Sequence, residues 1–131
     1  MRRDFLRAKI HGATVTDANL AYTGSLTLDR DLMDAADLAP FERIEVYNLT
    51  GGERFATYVI EGRRGGGDVC VNGAAAHLAR RGDRIIIAAY AQLEEAEIPL
   101  LRPRLVFVDA ENRPRPAPVE VEADTMAPSR P

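Results

Sequence analysis

Short apolar runs separated by turn-forming residues are the feature that most limits the folds open to this chain. Runs rich in β-branched and aromatic residues recur along the sequence, with glycine, asparagine, aspartate or proline between them. Runs of this kind are typical of β-strands. We predict strands at residues 5–15, 25–28, 44–49, 55–60, 69–71, 85–93 and 105–108. The pattern favours a mainly β domain with small helices, arranged as a barrel whose interior is filled by side chains.

Two short helices and one hairpin turn are predicted between the strands. Asp29 or Asp31 can cap a helical turn that runs to Ala36, and Asn72 precedes an alanine-rich stretch. Thr50-Gly51-Gly52 lies between two strand-like runs, and glycine accepts the positive φ that a tight turn needs. The sequence therefore predicts a hairpin at this turn.

The extent of the domain follows from length and composition. A chain of 131 residues with 46% hydrophobic residues is enough for one core and too short for two. Segment 63–68 holds three glycines but lacks the Gly-Lys-Ser/Thr ending of a P-loop, so we predict a flexible connector. Residues 112–131 contain five of the eight prolines and no aromatic residue. We expect one domain over residues 1–111 and a disordered proline-rich tail over residues 112–131.

Several classes of protein are disfavoured by the composition. Cys70 is the only cysteine, and with two histidines it makes neither a disulfide nor a zinc-ligand cluster. The 17 basic and 20 acidic residues are mixed, so no basic surface for nucleic acid is visible. No apolar run approaches the roughly 18 residues of a membrane span, and Asp4 and Arg7 interrupt the N-terminus. We expect a soluble cytoplasmic protein with no metal, nucleic-acid or membrane partner.

The stretch Tyr22-Thr23-Gly24-Ser25 is the motif with the most chemical content, although Gly-Ser pairs are common in loops. It gains meaning from five other segments: Lys9-Ile10-His11, Asn48-Leu49-Thr50, residues 52–58 (GERFATY), residues 71–77 (VNGAAAH) and Gly82-Asp83 with the apolar run after it. Together, in order and without a gap from about residue 9 to 108, these segments closely resemble bacterial aspartate 1-decarboxylase. One departure is Thr23, where the family commonly has glutamate. We expect this change to alter the rate of maturation or the packing of the new chain end rather than the chemistry.

The resemblance implies a six-stranded double-psi β-barrel that cleaves itself between Gly24 and Ser25. The Ser25 hydroxyl attacks the Gly24 carbonyl, and the Thr57 hydroxyl donates a hydrogen bond to the oxyanion that develops. We expect Gly24 to hold a strained conformation closed to residues with a Cβ. Residue 25 then becomes a pyruvoyl group, and the chain is left as two pieces, one from position 1 to 24 and the other from position 25 to 131.

The resemblance also implies the activity and the residues that carry it. The pyruvoyl ketone, the only cofactor, forms a Schiff base with L-aspartate, which loses its α-carboxylate as carbon dioxide, is protonated by Tyr58 and leaves as β-alanine. Arg54 and Lys9 supply the cations that a dicarboxylate needs. The implied substrate-binding residues are Lys9, Arg54, Thr57, Asn72, Gly73, Ala74 and Ala75, with His11 and Tyr22 as further candidates for lining the pocket.

A homotetramer with sites between subunits, in pantothenate synthesis, is the implied assembly and pathway. Whether maturation needs a partner protein stays open at this point. So do other functions: a barrel that never matures and binds a small molecule, a pyruvoyl decarboxylase for another amino acid, and a DNA-binding barrel dimer, which the acidic balance disfavours. His77 and Cys70 are interpreted as a helix residue and a core hydrophobe.

Overall fold

A computed structural model describes residues 1–116 and shows a mainly β fold. Nine strands form one sheet in the order β2-β6-β3-β5-β4-β7-β1-β8-β9. Their bounds are β1 Arg3–Thr14, β2 Asp17–Asn19, β3 Ser25–Asp29, β4 Arg43–Asn48, β5 Arg54–Gly62, β6 Val69–Asn72, β7 Arg84–Leu93, β8 Arg104–Val108 and β9 Pro114–Arg115. One α-helix, α1, covers Arg30–Ala36, and 3₁₀ turns cover Gly73–His77 and Ile98–Leu100.

All seven predicted strands are confirmed, with bounds that differ by at most two residues. The sheet nevertheless has nine strands within the described residues, not the six that the resemblance implied. Strands β2 and β9 were missed because they are three and two residues long and mostly polar, which is too short for an alternating pattern. The predicted hairpin is also confirmed, since β4 and β5 pair antiparallel and Gly52 between them has φ +88°.

The sheet curves so that distant strands meet. Strand β3 lies between β5, to which it is parallel, and β6, to which it is antiparallel. Just after β1, the Thr16 amide donates to the Val69 carbonyl of β6 at 2.8 Å, and the Val69 amide donates to Thr16 Oγ1 at 2.9 Å. These bonds extend the parallel pairing of β2 with β6. Only Val15 and Thr16 separate β1 from β2, although the two strands are six places apart in the sheet order, as a barrel-like fold requires.

The core is built from the inward-facing residues of the strands and from one face of α1. Its largest fully buried side chains include Ile10, Leu26, Leu28, Leu32, Met33, Ile44, Ile85 and Ile87. Leu26 and Leu28 alternate along β3 with Ser25 and Thr27, so the core side chains lie on one face of that strand. The opposite face of β3 is free to carry polar residues.

In the connector at residues 63–68, two of the three glycine amides, those of Gly65 and Gly67, donate to a buried carboxylate, which argues against the predicted flexible connector. The buried Asp29 carboxylate caps α1 through the Asp31 amide and also accepts from the Gly65 and Gly67 amides at 2.9 and 2.8 Å. Burial opposes ionisation of Asp29, but these backbone donors outweigh it and lower the pKa of the carboxyl. A buried carboxylate needs such donors, and the connector supplies them.

The first residues of the predicted tail belong to the folded sheet. Asn112 is buried, and its side chain bonds the backbone N–H and C=O of Thr14 and the C=O of Gly67. Strand β9 pairs with β8. The remainder of the predicted tail, residues 117–131, lies outside the described residues, so its disorder stays a prediction.

Among residues 1–116 no helix has the length and apolarity to cross a membrane. The same residues contain no group of three or more side chains suited to binding a metal ion.

Candidate active site

The Gly24–Ser25 peptide bond lies at the start of β3, where the polar face of the strand begins. Ser25 is 1% exposed although it is the first residue of the strand. Its Oγ accepts a hydrogen bond of 2.9 Å from Asn72 Nδ2 on the neighbouring strand β6. The serine is therefore held in a fixed position beside the peptide bond that precedes it.

A small polar cluster surrounds this serine because β3 and β6 pair in antiparallel register. Ser25 is opposite Asn72 and Thr27 is opposite Cys70. The Asn72 amide donates from Nδ2 to Ser25 Oγ and to Thr27 Oγ1 at 3.0 Å, and its Oδ1 accepts from Cys70 Sγ at 3.2 Å. We name Ser25, Thr27, Cys70 and Asn72 the serine cluster. Sequence reasoning missed Thr27 and interpreted Cys70 as a core residue, whereas its thiol belongs to this cluster.

A glycine is required next to the peptide bond, but at Gly73 rather than at Gly24. A Cβ on Gly73, which has φ +66°, would lie 2.7 Å from both the Cα and the N of Gly24 and 3.0 Å from the Tyr22 carbonyl oxygen. Gly24 itself is outside the left-handed region, and a Cβ there would meet nothing within 4 Å. The expectation of a strained Gly24 is therefore wrong. The close approach of the 3₁₀ turn to the Gly24 backbone creates the need for glycine.

Thr57 and Tyr58 of β5 lie on opposite faces of the sheet. Val59 pairs in parallel with Leu26, so Tyr58 is level with Ser25, and alternation places both on the face away from the core. The Tyr58 ring is 37% exposed and lies 6.4 Å from the Phe41 ring. Thr57 lies on the core side with Val59, and its hydroxyl makes no hydrogen bond to Gly24 within the described residues.

Arg54 lies on the same outer face as Tyr58 and stacks on an aromatic residue. Its Cζ is 4.1 Å from the centre of the Tyr47 ring, and the hydroxyl oxygens of Tyr47 and Tyr90 are 2.6 Å apart. The hydrogen bond from Tyr47, together with partial burial, raises the pKa of Tyr90 to about 12. Sequence reasoning missed both tyrosines, although the predicted hairpin makes Tyr47 the cross-strand neighbour of Arg54.

Lys9 and His11 lie on β1, four places from β3 in the sheet order. Lys9 is half-buried and forms no ion pair with any described residue. His11 Nδ1 is buried without a hydrogen-bond partner in the described residues, and the His11 ring lies 5.5 Å from that of Phe107. Burial, then the charges of Lys9 and Arg84, lower the pKa of His11. Strand pairing within one chain therefore does not bring Lys9 and His11 next to Ser25.

The remaining predicted residues frame the serine cluster. Tyr22 is 53% exposed, and its carbonyl faces Gly73. Ala74 and Ala75 follow in the 3₁₀ turn, exposed and half-buried respectively, with small side chains that leave room beside Gly24. His77 ends the same turn and is exposed.

The fold and this cluster define a small mainly β protein whose candidate site is built around one of its own peptide bonds. The profile of the family described as aspartate decarboxylase matches residues 1–115. Relatives named aspartate 1-decarboxylase are 52% identical in Myxococcus xanthus, covering 86% of this chain and 87% of the relative, and 55% identical in Syntrophobacter fumaroxidans, covering 87% and 92%. One in Thermoanaerobacter pseudethanolicus is 50% identical, covering 87% and 97%. The chain belongs to the aspartate decarboxylase family.

Proposed function

We propose that this protein cleaves itself at Gly24–Ser25 and then uses a pyruvoyl group formed from Ser25 to convert L-aspartate to β-alanine and carbon dioxide. The enzyme class and the decarboxylation of aspartate follow from the family, which spans nearly all of the described chain. The self-cleavage rests mainly on one observation: a buried serine hydroxyl is held by Asn72 beside the Gly24 backbone.

The proposed maturation balances without any added reagent except water. Ser25 Oγ forms a bond to the Gly24 carbonyl carbon, the Gly24–Ser25 C–N bond breaks, and the hydroxyl proton passes to the freed amine. Loss of the Cα proton and of the Gly24 carboxylate from Cβ leaves dehydroalanine at residue 25. Addition of water and loss of ammonia then give the ketone. The Thr57 hydroxyl is our candidate donor to the oxyanion on the strength of the family resemblance. Within a single chain it lies on the core side of β5, on the opposite face from Ser25.

The residues around Ser25 suit a pyruvoyl group. Once formed, the group supplies an electron sink for breaking a carbon–carbon bond beside an amine. The amide of Asn72 and the backbone of Gly73-Ala74-Ala75 surround the position of residue 25 and orient what binds there. The Tyr58 phenol lies level with Ser25 on the same face, so it is the proton donor that we propose.

Two cations are proposed to bind the carboxylates of aspartate. Neither Arg54 nor Lys9 forms an ion pair with a described residue, so both charges are available for a dicarboxylate. The Arg54 Cζ lies 4.1 Å from the centre of the Tyr47 ring, which leaves the planar fork of N–H groups for bidentate binding. Lys9 is four strands away from Ser25 in the sheet order. We therefore propose that each site is completed by a second subunit of a homotetramer, with His11 and Tyr22 as further lining residues.

The finer assignments complete the proposal. Strands β1 and β8 pair in parallel, as do β3 and β5, and parallel pairs need crossover connections. These connections support a double-psi barrel. We also propose a cytoplasmic location and a role in pantothenate synthesis, and we place the folded unit at residues 1–111 together with the short segment that carries Asn112.

Intact mass spectrometry tests this proposal. The full chain should yield two pieces, cut after position 24, and borohydride with aspartate should add the mass of the trapped amine to the larger piece alone. Ser25→Ala should stay as one chain and trap nothing. Thr27→Ser, which keeps every hydroxyl of the serine cluster, should mature as the wild type does. A folded wild-type chain that keeps its full mass and carries no ketone would contradict the self-cleavage and the pyruvoyl group proposed here.

A further inference from the structure

The Asn72 amide has two nearly equal ends, and only its partners decide which end faces Ser25. Turning the amide over about its Cβ–Cγ bond exchanges Oδ1 with Nδ2 at almost no steric cost. The hydroxyls of Ser25 and Thr27 both donate and accept, so they fit either end. The remaining partner in the serine cluster is the Cys70 thiol, a weak donor and a weak acceptor, and its sulfur contacts the Oδ1 end of the amide.

We propose that Cys70 is a positioning residue for the self-cleavage proposed above: its thiol donates to Asn72 Oδ1 and thereby turns the amide N–H groups toward Ser25 Oγ. The Sγ–Oδ1 distance of 3.2 Å and the Nδ2–Oγ distance of 2.9 Å are the geometric basis. Both contacts lie on the polar face of two paired strands, where the backbone fixes the four side chains relative to one another.

The thiol is suited to this role because it keeps its proton. Partial burial, then the nearby negative charges of Asp17 and Asp68, raise the pKa of Cys70. A protonated thiol donates to a carbonyl oxygen. A thiolate there would instead attract the N–H end of the amide, so that Nδ2 would face Cys70 and Oδ1 would face Ser25.

Which end of the Asn72 amide faces Ser25 matters for the attack on Gly24. With Nδ2 toward Ser25, an N–H group stabilises the partial negative charge on Oγ as its proton is transferred to the nitrogen of the Gly24–Ser25 bond, before that C–N bond breaks. With Oδ1 toward Ser25, the serine proton would be donated to the amide oxygen instead, and no donor would meet the charge on Oγ. The reversed amide therefore slows the first step.

Cleavage rates of matched variants test this role. The full chain is made by cell-free synthesis, and intact mass follows the conversion into two pieces. Cys70→Ala, which has neither donor nor acceptor, should mature about five- to tenfold more slowly, as expected for one lost hydrogen bond. Cys70→Ser keeps a donor and should restore the rate. In an Asn72→Ala background, Cys70→Ala should add no further slowing, because the amide on which it acts is gone.

Hydrogen exchange of the Asn72 side-chain amide, measured by NMR in the uncleavable Ser25→Ala chain, tests the Cys70–Asn72 contact independently of cleavage. With Thr27 Oγ1 as the remaining acceptor, exchange should be about fivefold faster with Cys70→Ala added than in this chain or with Cys70→Ser added. Equal cleavage rates for Cys70→Ala and wild type, or equal slowing by Ala and Ser, overturn the role of Cys70. A wild-type chain that never cleaves, with exchange as expected, overturns the self-cleavage and with it the role in maturation, while the amide contact stands.

Discussion

At the scale of single residues, the need for glycine at this site comes from a contact at Gly73 rather than from strain at the Gly24–Ser25 bond. Gly73 begins the 3₁₀ turn, and its missing Cβ lets the backbone of Gly24 lie against it. A side chain on Gly24 has open space and an ordinary φ. Gly24 could therefore carry a Cβ without a clash and Gly73 could not, although both lie beside Ser25.

Replacing Gly73 by Ala should block maturation, because the new Cβ would push the Gly24 backbone away from the 3₁₀ turn. The added Cβ would be 2.7 Å from two backbone atoms, which cannot yield as a flexible side chain can. Gly82→Ala is the matched control, since Gly82 also has a positive φ, +92°, but its Cβ would meet nothing within 4 Å. Both variants carry the positive-φ cost of about 1 kcal/mol, so their thermal stability should fall. Only Gly73→Ala should accumulate the uncut chain in intact mass spectra, and equal maturation of the two would contradict this account.

At the scale of elements, strand β3 connects the Gly24–Ser25 bond to the loop at residues 63–68. Ser25 is the first residue of the strand and Asp29 the last. The Asp29 carboxylate accepts three backbone N–H groups, and the Asp29 amide donates to the Asp68 carbonyl at 2.8 Å. The far end of β3 is therefore fixed, which helps to hold Ser25 in place.

Asp29→Asn should destabilise the fold by about 2–3 kcal/mol at neutral pH, because an amide NH₂ would face a backbone donor and the charge-assisted bonds would be lost. The folded-state pKa is lowered, so the carboxylate stabilises above the ordinary aspartate pKa of about 3.9 and this stabilisation is lost as pH falls through the folded pKa. The deficit of the variant should accordingly shrink at pH 3. Urea unfolding at both pH values measures it. The control is Asp31→Asn, whose exposed carboxylate pairs with Arg64; an equal deficit there would refute the argument.

Strands were predictable where apolar and polar residues alternate within one continuous segment. Strand β1, with its alternating buried residues, and the hairpin at Gly52 follow from local pattern. The partners in the serine cluster do not, because Thr27 and Asn72 are 45 residues apart and meet only through the register of β3 against β6. Ser25 and Asn72 were found through resemblance to a family, whereas the role of Cys70 needed the pairing of two strands.

At the scale of the whole molecule, cleavage after Gly24 would divide one fold into two chains that share a core. The smaller chain contains β1, which is 12 residues long and lies between β7 and β8 in the sheet. Its Ile10 and Ala13 side chains are fully buried in the common core. We therefore expect the two pieces to stay together in native buffer and to separate only when the fold is lost.

The side chain of Asn112 forms hydrogen bonds to both pieces, so a single substitution there tests how the two pieces are held together. It is 2% exposed and bonds both backbone groups of Thr14, in the small piece, and the Gly67 carbonyl, in the large one. Asn112→Ala leaves these groups buried without partners, which should weaken retention by about 2 kcal/mol, or about 30-fold in equilibrium. Size-exclusion chromatography of matured protein across a urea series, with mass spectrometry of each peak, should show the small piece released at lower urea. Glu111→Ala, an exposed neighbour, should release it at the wild-type concentration. If Asn112→Ala also matched the wild type, β1 pairing alone would account for retention.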